Sequence, residues 1–407
     1  MDIKKLREDT PCENIYLNHV STSVPPQQVI EALNEYFRIA VRYGSTSAKA
    51  QDMTARLYQK AKQNVSCLIG ATEEEVVFVS NGSQAIGIIA AGLDLQSGDN
   101  VIVDELSFIS NVAPFLKLKA EKGIEVKFAP ANKPGIIDLE RLEELIDERT
   151  KLISLCHMAN SLGMVQPAEQ VGRIAKQYQV LYLLDAANTV GLIPIDVKQI
   201  GCDFMAVSGR KYLRGPAGSA FLYVNAQVVD SINPIFASWN NGVWDWREDD
   251  WDWNKNIYMP HSGIERLSFG EINYPAAFGL SRAVEYAQEI GGVAKIKKRV
   301  DHLLAYLIEK MHSIDGVEII GSGDSADYGG MIGFNIKGIL FDDIGRHLNT
   351  NNVGVMAHSF FSPGVLKMFG IKGVVRFCVH CWNIEEEFDR AVELLKPEKL
   401  AYLRKRL

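Results

Sequence analysis

Six cysteines, irregularly spaced, are few for a chain of 407 residues. That excludes a disulfide scaffold and fits a reducing compartment, so a cytoplasmic protein is expected. Cys378 and Cys381 form one C-x-x-C with no second pair, in a segment that reads as a strand. Two buried thiols are therefore expected rather than a zinc site, and no metal is called for. No apolar run approaches the ~18 residues that a bilayer requires. Met1 to Thr10 is polar, unlike a secretory signal, so no membrane is expected as a partner. Basic residues are not in excess: Lys plus Arg is 43 against 50 for Asp plus Glu, a net charge of −7. The basic residues of the tail (Lys396, Lys399, Arg404, Lys405 and Arg406) sit beside apolar ones. Nucleic acid is therefore not an expected partner. Neither G-x-G-x-x-G nor G-K-[ST] occurs, which argues against Rossmann and Walker nucleotide sites. Repeats and low-complexity linkers are also missing.

What is present is a large, ordinary core. Apolar residues make up 47% and charged residues 23% of the chain, and a chain of this mass can bury roughly three quarters of its surface. Its length suggests two or three domains. Short β-branched runs at Glu75–Val79, Asn100–Val103, Val126–Phe128, Lys151–Leu155 and Val180–Leu184 alternate with helical patterns. The helices are expected over Gln84–Leu95, Asn111–Lys122, Asp138–Ile146 and Pro167–Tyr178. That alternation predicts an α/β fold with a mostly parallel sheet flanked by helices. After about residue 280 the pattern changes. Long helices over Ala276–Gln288 and Val293–Ser313 precede strands near Val317–Ile320, Met331–Ile336, Gly354–Ala357 and Val374–Val379, and a last helix over Glu385–Leu395. We expect an arm over residues 1–25 that lies on the small domain, a large domain over 26–280 and a smaller α+β domain over 281–407.

In open parallel sheets, ligands sit beyond the carboxyl ends of the strands. The residues that follow the strands here are Asn81-Gly82-Ser83-Gln84 before an apolar helix, His157 and Asn160, Asp185-Ala-Ala-Asn188, and Ser208-Gly-Arg-Lys211. A small Gly/Ser turn opening a helix presents N–H groups to a phosphate. With it come an acid, a lysine and several polar residues. Each alone is ordinary, since Gly-Ser or Asp before a helix is commonly a cap. Together they suit pyridoxal 5′-phosphate, which needs a Schiff-base lysine, an acid at its ring nitrogen and a helix N-terminus for its phosphate.

These segments also resemble the class V aminotransferase family, the fold type I group that includes cysteine desulfurases. The resemblance runs through Asn81–Ile86, His157–Gly163, Asp185–Asn188, Ser208–Gly218, Arg266–Gly270 and Arg376, nearly the whole chain, and Ser208–Gly218 is its most specific part. It implies an aspartate aminotransferase-like large domain and a homodimer with shared active sites. By resemblance, Lys211 is the Schiff-base lysine and Asp185 pairs with the ring nitrogen. Gly82, Ser83, Gln84, Ser208 and Arg210 hold the phosphate. Asn160 and Asn188 lie near the ring, and Arg376 clamps the substrate carboxylate, a task that suits a planar guanidinium. Gly270 and Glu271 approach from the second subunit. His19, Glu271 and His358 are further candidates for substrate contact; for the two histidines a structural role is the competing reading. His157 has two readings, a group near the ring or a satisfied strand-end histidine.

Departures from the family pattern carry as much information. Arg210 stands where the family usually has histidine. The segment Ser107–Asn111 has no histidine to stack on the ring, which leaves Phe108, with Ile109 as the alternative. Glu271 stands where a threonine is common, so it is expected to face the substrate or pair with Arg210. The loop Ala357–Gly364 has no cysteine, whereas a desulfurase needs a mobile thiolate there. The expected function is a pyridoxal-phosphate enzyme acting on a small amino acid through Cα deprotonation by Lys211. A lyase performing β-elimination, for example carbon–sulfur cleavage, is the first reading. An aminotransferase or amino-acid epimerase is the alternative, and a cysteine desulfurase is disfavoured. Trp239 to Trp253 holds five of the six tryptophans and reads as a hairpin for subunit packing or an aromatic wall for a cationic substrate.

Overall fold

A computed structural model describes residues 1–244 and 258–403. Its large sheet has seven strands: β1 Val76–Val79, β2 Asn100–Asp104, β3 Glu125–Ala129, β4 Thr150–Cys156, β5 Leu181–Asp185, β6 Phe204–Ser208 and β7 Ala220–Val224. Their order is β1-β7-β6-β5-β4-β2-β3. All ladders are parallel except those of β7, which is antiparallel to both β1 and β6. The strands read as unbroken apolar runs because helices cover both faces. Side chains alternate between two cores. Tyr182 and Leu184 face one with Val65 and Val171, and Leu183 faces the other with Ile86 and Phe115.

A four-stranded sheet in the C-terminal part has the order Val317–Ile320, Met331–Ile336, Val374–Cys378, Met356–His358. The N-terminal arm joins this part. Ile15 pairs in parallel with Val353, and Leu6, Leu17 and Val20 bury in the same cluster as Leu303, Phe334 and Phe377.

Three readings need correction. The segment expected as one strand at Gly354–Ala357 is two pieces, Val353–Gly354 against the arm and Met356–His358 in the four-stranded sheet. Cys381 lies past the end of the strand that Cys378 closes; both thiols are free and buried. The helices Gln27–Tyr43 and Ala48–Leu68 were given no element from sequence. They are rich in polar residues and bury few side chains, chiefly against helix Tyr274–Glu289. In the Trp-rich segment, Gly242–Trp244 pairs antiparallel with Tyr258–Pro260. Trp246, Trp251 and Trp253, and the basic residues after Leu403, lie outside the described residues. Among the described residues no helix is long and apolar enough to cross a membrane.

Candidate active site

Strands β1, β2, β4, β5 and β6 run in the same direction, so their carboxyl ends share one edge of the sheet. A cavity of about 470 Å³ opens there. It is lined by Gly82, Ser83, Phe108, Asn160, Asp185, Asn188, Ser208, Arg210 and Lys211 among others. The sequence therefore brings nine of its candidates to one place.

The floor is the first turn of helix Gly82–Gly92. Asn81 caps it, its side chain accepting from the Gln84 N–H at 2.8 Å. The remaining first-turn N–H groups have no intrahelical acceptor, which suits an anion. A Cβ on Gly82 would lie 3.7 Å from Ala187 Cβ and 4.0 Å from Ser208 Cβ, so this turn meets the ends of β5 and β6. The Ser83 hydroxyl donates to Ser110 Oγ at 2.8 Å. Arg210 donates to Thr22 Oγ1 of the arm. Among the described residues it forms no ion pair, leaving its charge available to an anionic ligand.

Lys211 follows β6 in a tight loop. Gly209 and Gly215 close it through the Gly215 N–H to Gly209 O bond at 2.8 Å. The loop is tied to the arm by the Ser23 N–H, which donates to Arg210 O at 2.8 Å. Lys211 Nζ donates to Asn188 Oδ1 at 2.7 Å and stands 5.9 Å from the centroid of the Phe108 ring. Burial is the main cause that holds this amine down to about 8; Arg210 and Arg376 add to it, while Asp185 and Cys156 oppose it. Asp185 Oδ1 accepts from the Ala187 N–H at 3.0 Å. Burial pushes its carboxyl up, against the opposing pull of Lys211. A cation placed beside that carboxyl would pull it back down.

Phe108 lines the cavity, whereas Ile109 is 46% exposed and turns outward. Phe108, Lys211 and Asp185 thus line one cavity, which suits a planar ring that needs an aromatic face, an amine and an acid. Pyridoxal 5′-phosphate, the cofactor of class V aminotransferases, fits this donor set. The unpaired Arg210, the serines and the capped helix suit its phosphate, and the lysine amine suits its aldehyde.

Six other candidates are not in the lining. Arg376 is fully buried directly behind it, donating from Nη1 to Asn160 O at 2.9 Å and from Nη2 to Ser21 Oγ at 2.7 Å. Like Arg210, it has no carboxylate partner among the described residues. His358 is buried next to Phe361, their rings 4.8 Å apart. His19 sits deeper, its Nδ1 2.8 Å from Ser23 Oγ within a box of Tyr16, Tyr212, His380 and Trp382. Gln84 turns away, its side-chain oxygen accepting from the Ser80 N–H at 2.8 Å. Gly270 and Glu271 line a separate cleft with Trp239 and Tyr274, and Glu271 makes no pair with Arg210. His157 is also elsewhere; its Nδ1 lies 2.9 Å from Thr189 Oγ1, and burial pushes the ring down to about 4.

Several site residues were missed from sequence. Val20, Ser21 and Thr22 reach the cavity from the arm, and Met356 and Phe361 from the C-terminal part. No local pattern signals them. Asp104, at the end of β2, was also missed, although it follows an apolar strand as Asp185 does. It is buried, its Oδ2 accepting from Ser107 Oγ at 2.6 Å and the Cys156 N–H at 2.7 Å. Burial, with Asp185 nearby, pushes it up to about 6.

Residues 15–391 match the family model described as Aminotransferase class-V, and the chain belongs to that family. It is 32% identical over 403 residues to a probable cysteine desulfurase of Methanothermobacter thermautotrophicus, covering 97% of this chain and 98% of that protein. A solved cysteine desulfurase from Thermococcus onnurineus NA1 superposes with a TM-score of 0.90 at 27% identity, covering 100% of this chain and 99% of that one. The cystine C–S lyase C-DES, solved with its product cysteine persulfide, shares the fold, with a TM-score of 0.85 at 20% identity over 95% of this chain and 98% of that one.

Proposed function

We propose that this chain is a pyridoxal 5′-phosphate-dependent lyase that eliminates the β-substituent of a small amino acid without using a cysteine of its own. The observation that carries this reading is the composition of one cavity: Lys211, Asp185, Arg210 and a helix N-terminus line it, and among the described residues no cysteine does. The cofactor supplies an electron sink for the electron pair left on Cα. The chain's residues do the rest. Lys211, partly neutral near neutral pH because burial holds it down, takes the Cα proton. Asn188 fixes the direction of that amine. Arg376, with Asn160 in front of it, provides the positive charge that receives the substrate α-carboxylate.

The six cysteines support the absence of a sulfur relay. Cys156, Cys202, Cys378 and Cys381 are buried. Cys12 is in the arm, and Cys67 ends a helix that leads to the start of β1, at the opposite edge of the sheet. Epimerisation needs a second proton donor across from Lys211. No His, Tyr or Cys lines the cavity among the described residues.

Product analysis against a panel of amino acids tests this reading. Pyruvate with the released substituent is expected; a keto acid that keeps its substituent would mean transamination. After L-cysteine treatment, mass spectrometry is expected to find no protein persulfide. A persulfide formed at the rate of turnover, and lost in one Cys→Ala variant, would falsify the lyase reading and restore the desulfurase.

The second subunit belongs to the same proposal. Trp239 is exposed in the cleft that holds Gly270 and Glu271, and Phe236 and Phe269 are exposed against each other along another pocket, a costly arrangement for a monomer. Sedimentation is expected to give a dimer, and an active monomer would remove that part of the reading.

A further inference from the structure

The cavity has two halves of different origin. The large sheet supplies the lysine, the acid and the anion cradle. The arm and the C-terminal part supply Val20, Ser21, Thr22, Met356 and Phe361, and the Phe361 ring packs on that of Phe108 at 5.5 Å between centroids. This second half is apolar apart from Ser21 and Thr22, whose hydroxyl protons are already engaged. Ser21 Oγ accepts from Arg376 and donates to Met356 Sδ at 3.5 Å. Thr22 Oγ1 accepts from Arg210 and donates to Ser21 O at 2.8 Å. Ser362 Oγ donates to Asn160 Oδ1 at 2.8 Å. The Asn160 amide N–H groups are left, beside Arg376, where the substrate carboxylate is placed above. A β-substituent that needs hydrogen-bond donors, such as a carboxylate, would lose its water in this half without a free hydroxyl proton to replace it.

The loop that carries Phe361 is held in place. The Phe361 carbonyl accepts from the Ile109 N–H at 2.9 Å, and Ser362 is bonded to Asn160. Pro363 then opens a helix. At Gly364 a Cβ would stand 1.6 Å from Glu105 O, so this helix meets the end of β2 backbone to backbone. Phe361 is thus a fixed wall, where a sulfur carrier would need a swinging arm.

We propose that the β-substituent is an apolar thioether, as in an S-alkyl or S-aryl cysteine, received between Val20, Met356 and Phe361. The proposal rests on the lyase reading. Lys211 takes the Cα proton, the Cβ–S bond breaks with its electron pair on sulfur, and the thiolate takes a proton and leaves as a free thiol. The remaining enamine is hydrolysed by one water to pyruvate and ammonia. No oxidant, reductant or enzyme thiol is consumed.

The test uses the cofactor-loaded protein with cysteine and its S-methyl, S-propyl, S-benzyl and S-carboxymethyl derivatives, scoring pyruvate and thiol. Burying a methylene is worth about a fourfold gain. kcat/KM is therefore expected to rise from S-methyl to S-propyl to S-benzyl, with S-propyl at least tenfold above the similarly sized S-carboxymethyl. Phe361→Ala is expected to lower the S-benzyl to S-methyl ratio tenfold or more, and Phe361→Leu to lower it less. Equal rates for S-propyl and S-carboxymethyl, or a preference for cysteine, would overturn the thioether proposal while pyruvate formation upholds the lyase. If no compound yields pyruvate, the lyase reading fails. Equilibrium binding, read from the cofactor's visible absorption, then decides the wall by itself: S-benzyl tighter than S-carboxymethyl sustains it, and the reverse order removes it.

Discussion

Lys211→Ala is expected to leave the protein with cofactor bound but not covalently attached, and to lower turnover by roughly a thousandfold or more, the upper part of what one positioned acid–base group contributes. Borohydride should then fix no cofactor to the chain, where the parent protein yields a stable adduct on Lys211 by peptide mapping. A reducible adduct on another lysine of the variant would overturn the assignment. The same lysine predicts a pH dependence. Its protonated amine cannot attack an aldehyde. Covalent attachment to the apoprotein should therefore speed up as pH rises through about 8, well below the ordinary lysine value of 10.5. Asp185 and Cys156 raise this amine, whereas burial, Arg210 and Arg376 lower it. Removing the charge of Asp185 should shift the rise to still lower pH. Stopped-flow absorbance across that range reads both effects.

Asp185→Asn is expected to cost about a hundredfold or more in turnover while much of the cofactor affinity remains. A charge-assisted hydrogen bond is worth up to about 3 kcal/mol, which corresponds to two decades in rate when it acts on the step itself. Affinity persists because the helix turn at Gly82, the serines and Arg210 are separate from this carboxylate. Burial alone favours the neutral acid at Asp185. A protonated ring nitrogen in contact would pull that carboxyl back down and pair with its charge. Steady-state kinetics on the loaded variant, with a fluorescence titration of cofactor binding, separates the two effects. Turnover near that of the parent would show that Asp185 does not support the electron sink.

The edge of the large sheet was legible in the sequence because it is built locally. Short unbroken apolar runs such as Leu181–Leu184, alternating with helical patterns, read as strands covered on both faces, and the residue after each run then emerges at the carboxyl edge. Asp185, Asn188, Ser208, Arg210 and Lys211 follow from that reasoning alone. So does the capped turn at Asn81 to Ser83. Asp104 obeys the same rule and was overlooked. The helix Gln27–Tyr43 was also overlooked, although Val29, Leu33, Tyr36 and Ala40 recur along it at helical spacing; Ala48–Leu68 is more polar and buries only small or polar side chains besides Val65.

The other half of the cavity is a product of tertiary structure. Ser21 and Thr22 stand nearly 190 residues before Arg210 in the chain, and Met356 and Phe361 about 150 after Lys211. Their approach depends on the arm pairing Ile15 with Val353 and on Gly364 seating against Glu105. No period or motif encodes such contacts. Packing also decided which candidates reach the cavity, sending Gln84 and His157 to other partners and placing Arg376 one layer behind Asn160. The sequence by itself determined the chemistry of the cofactor side, since that side is written in residues adjacent to strand ends. Only the folded chain decided the substrate side, since its walls come from segments that meet solely through long-range packing.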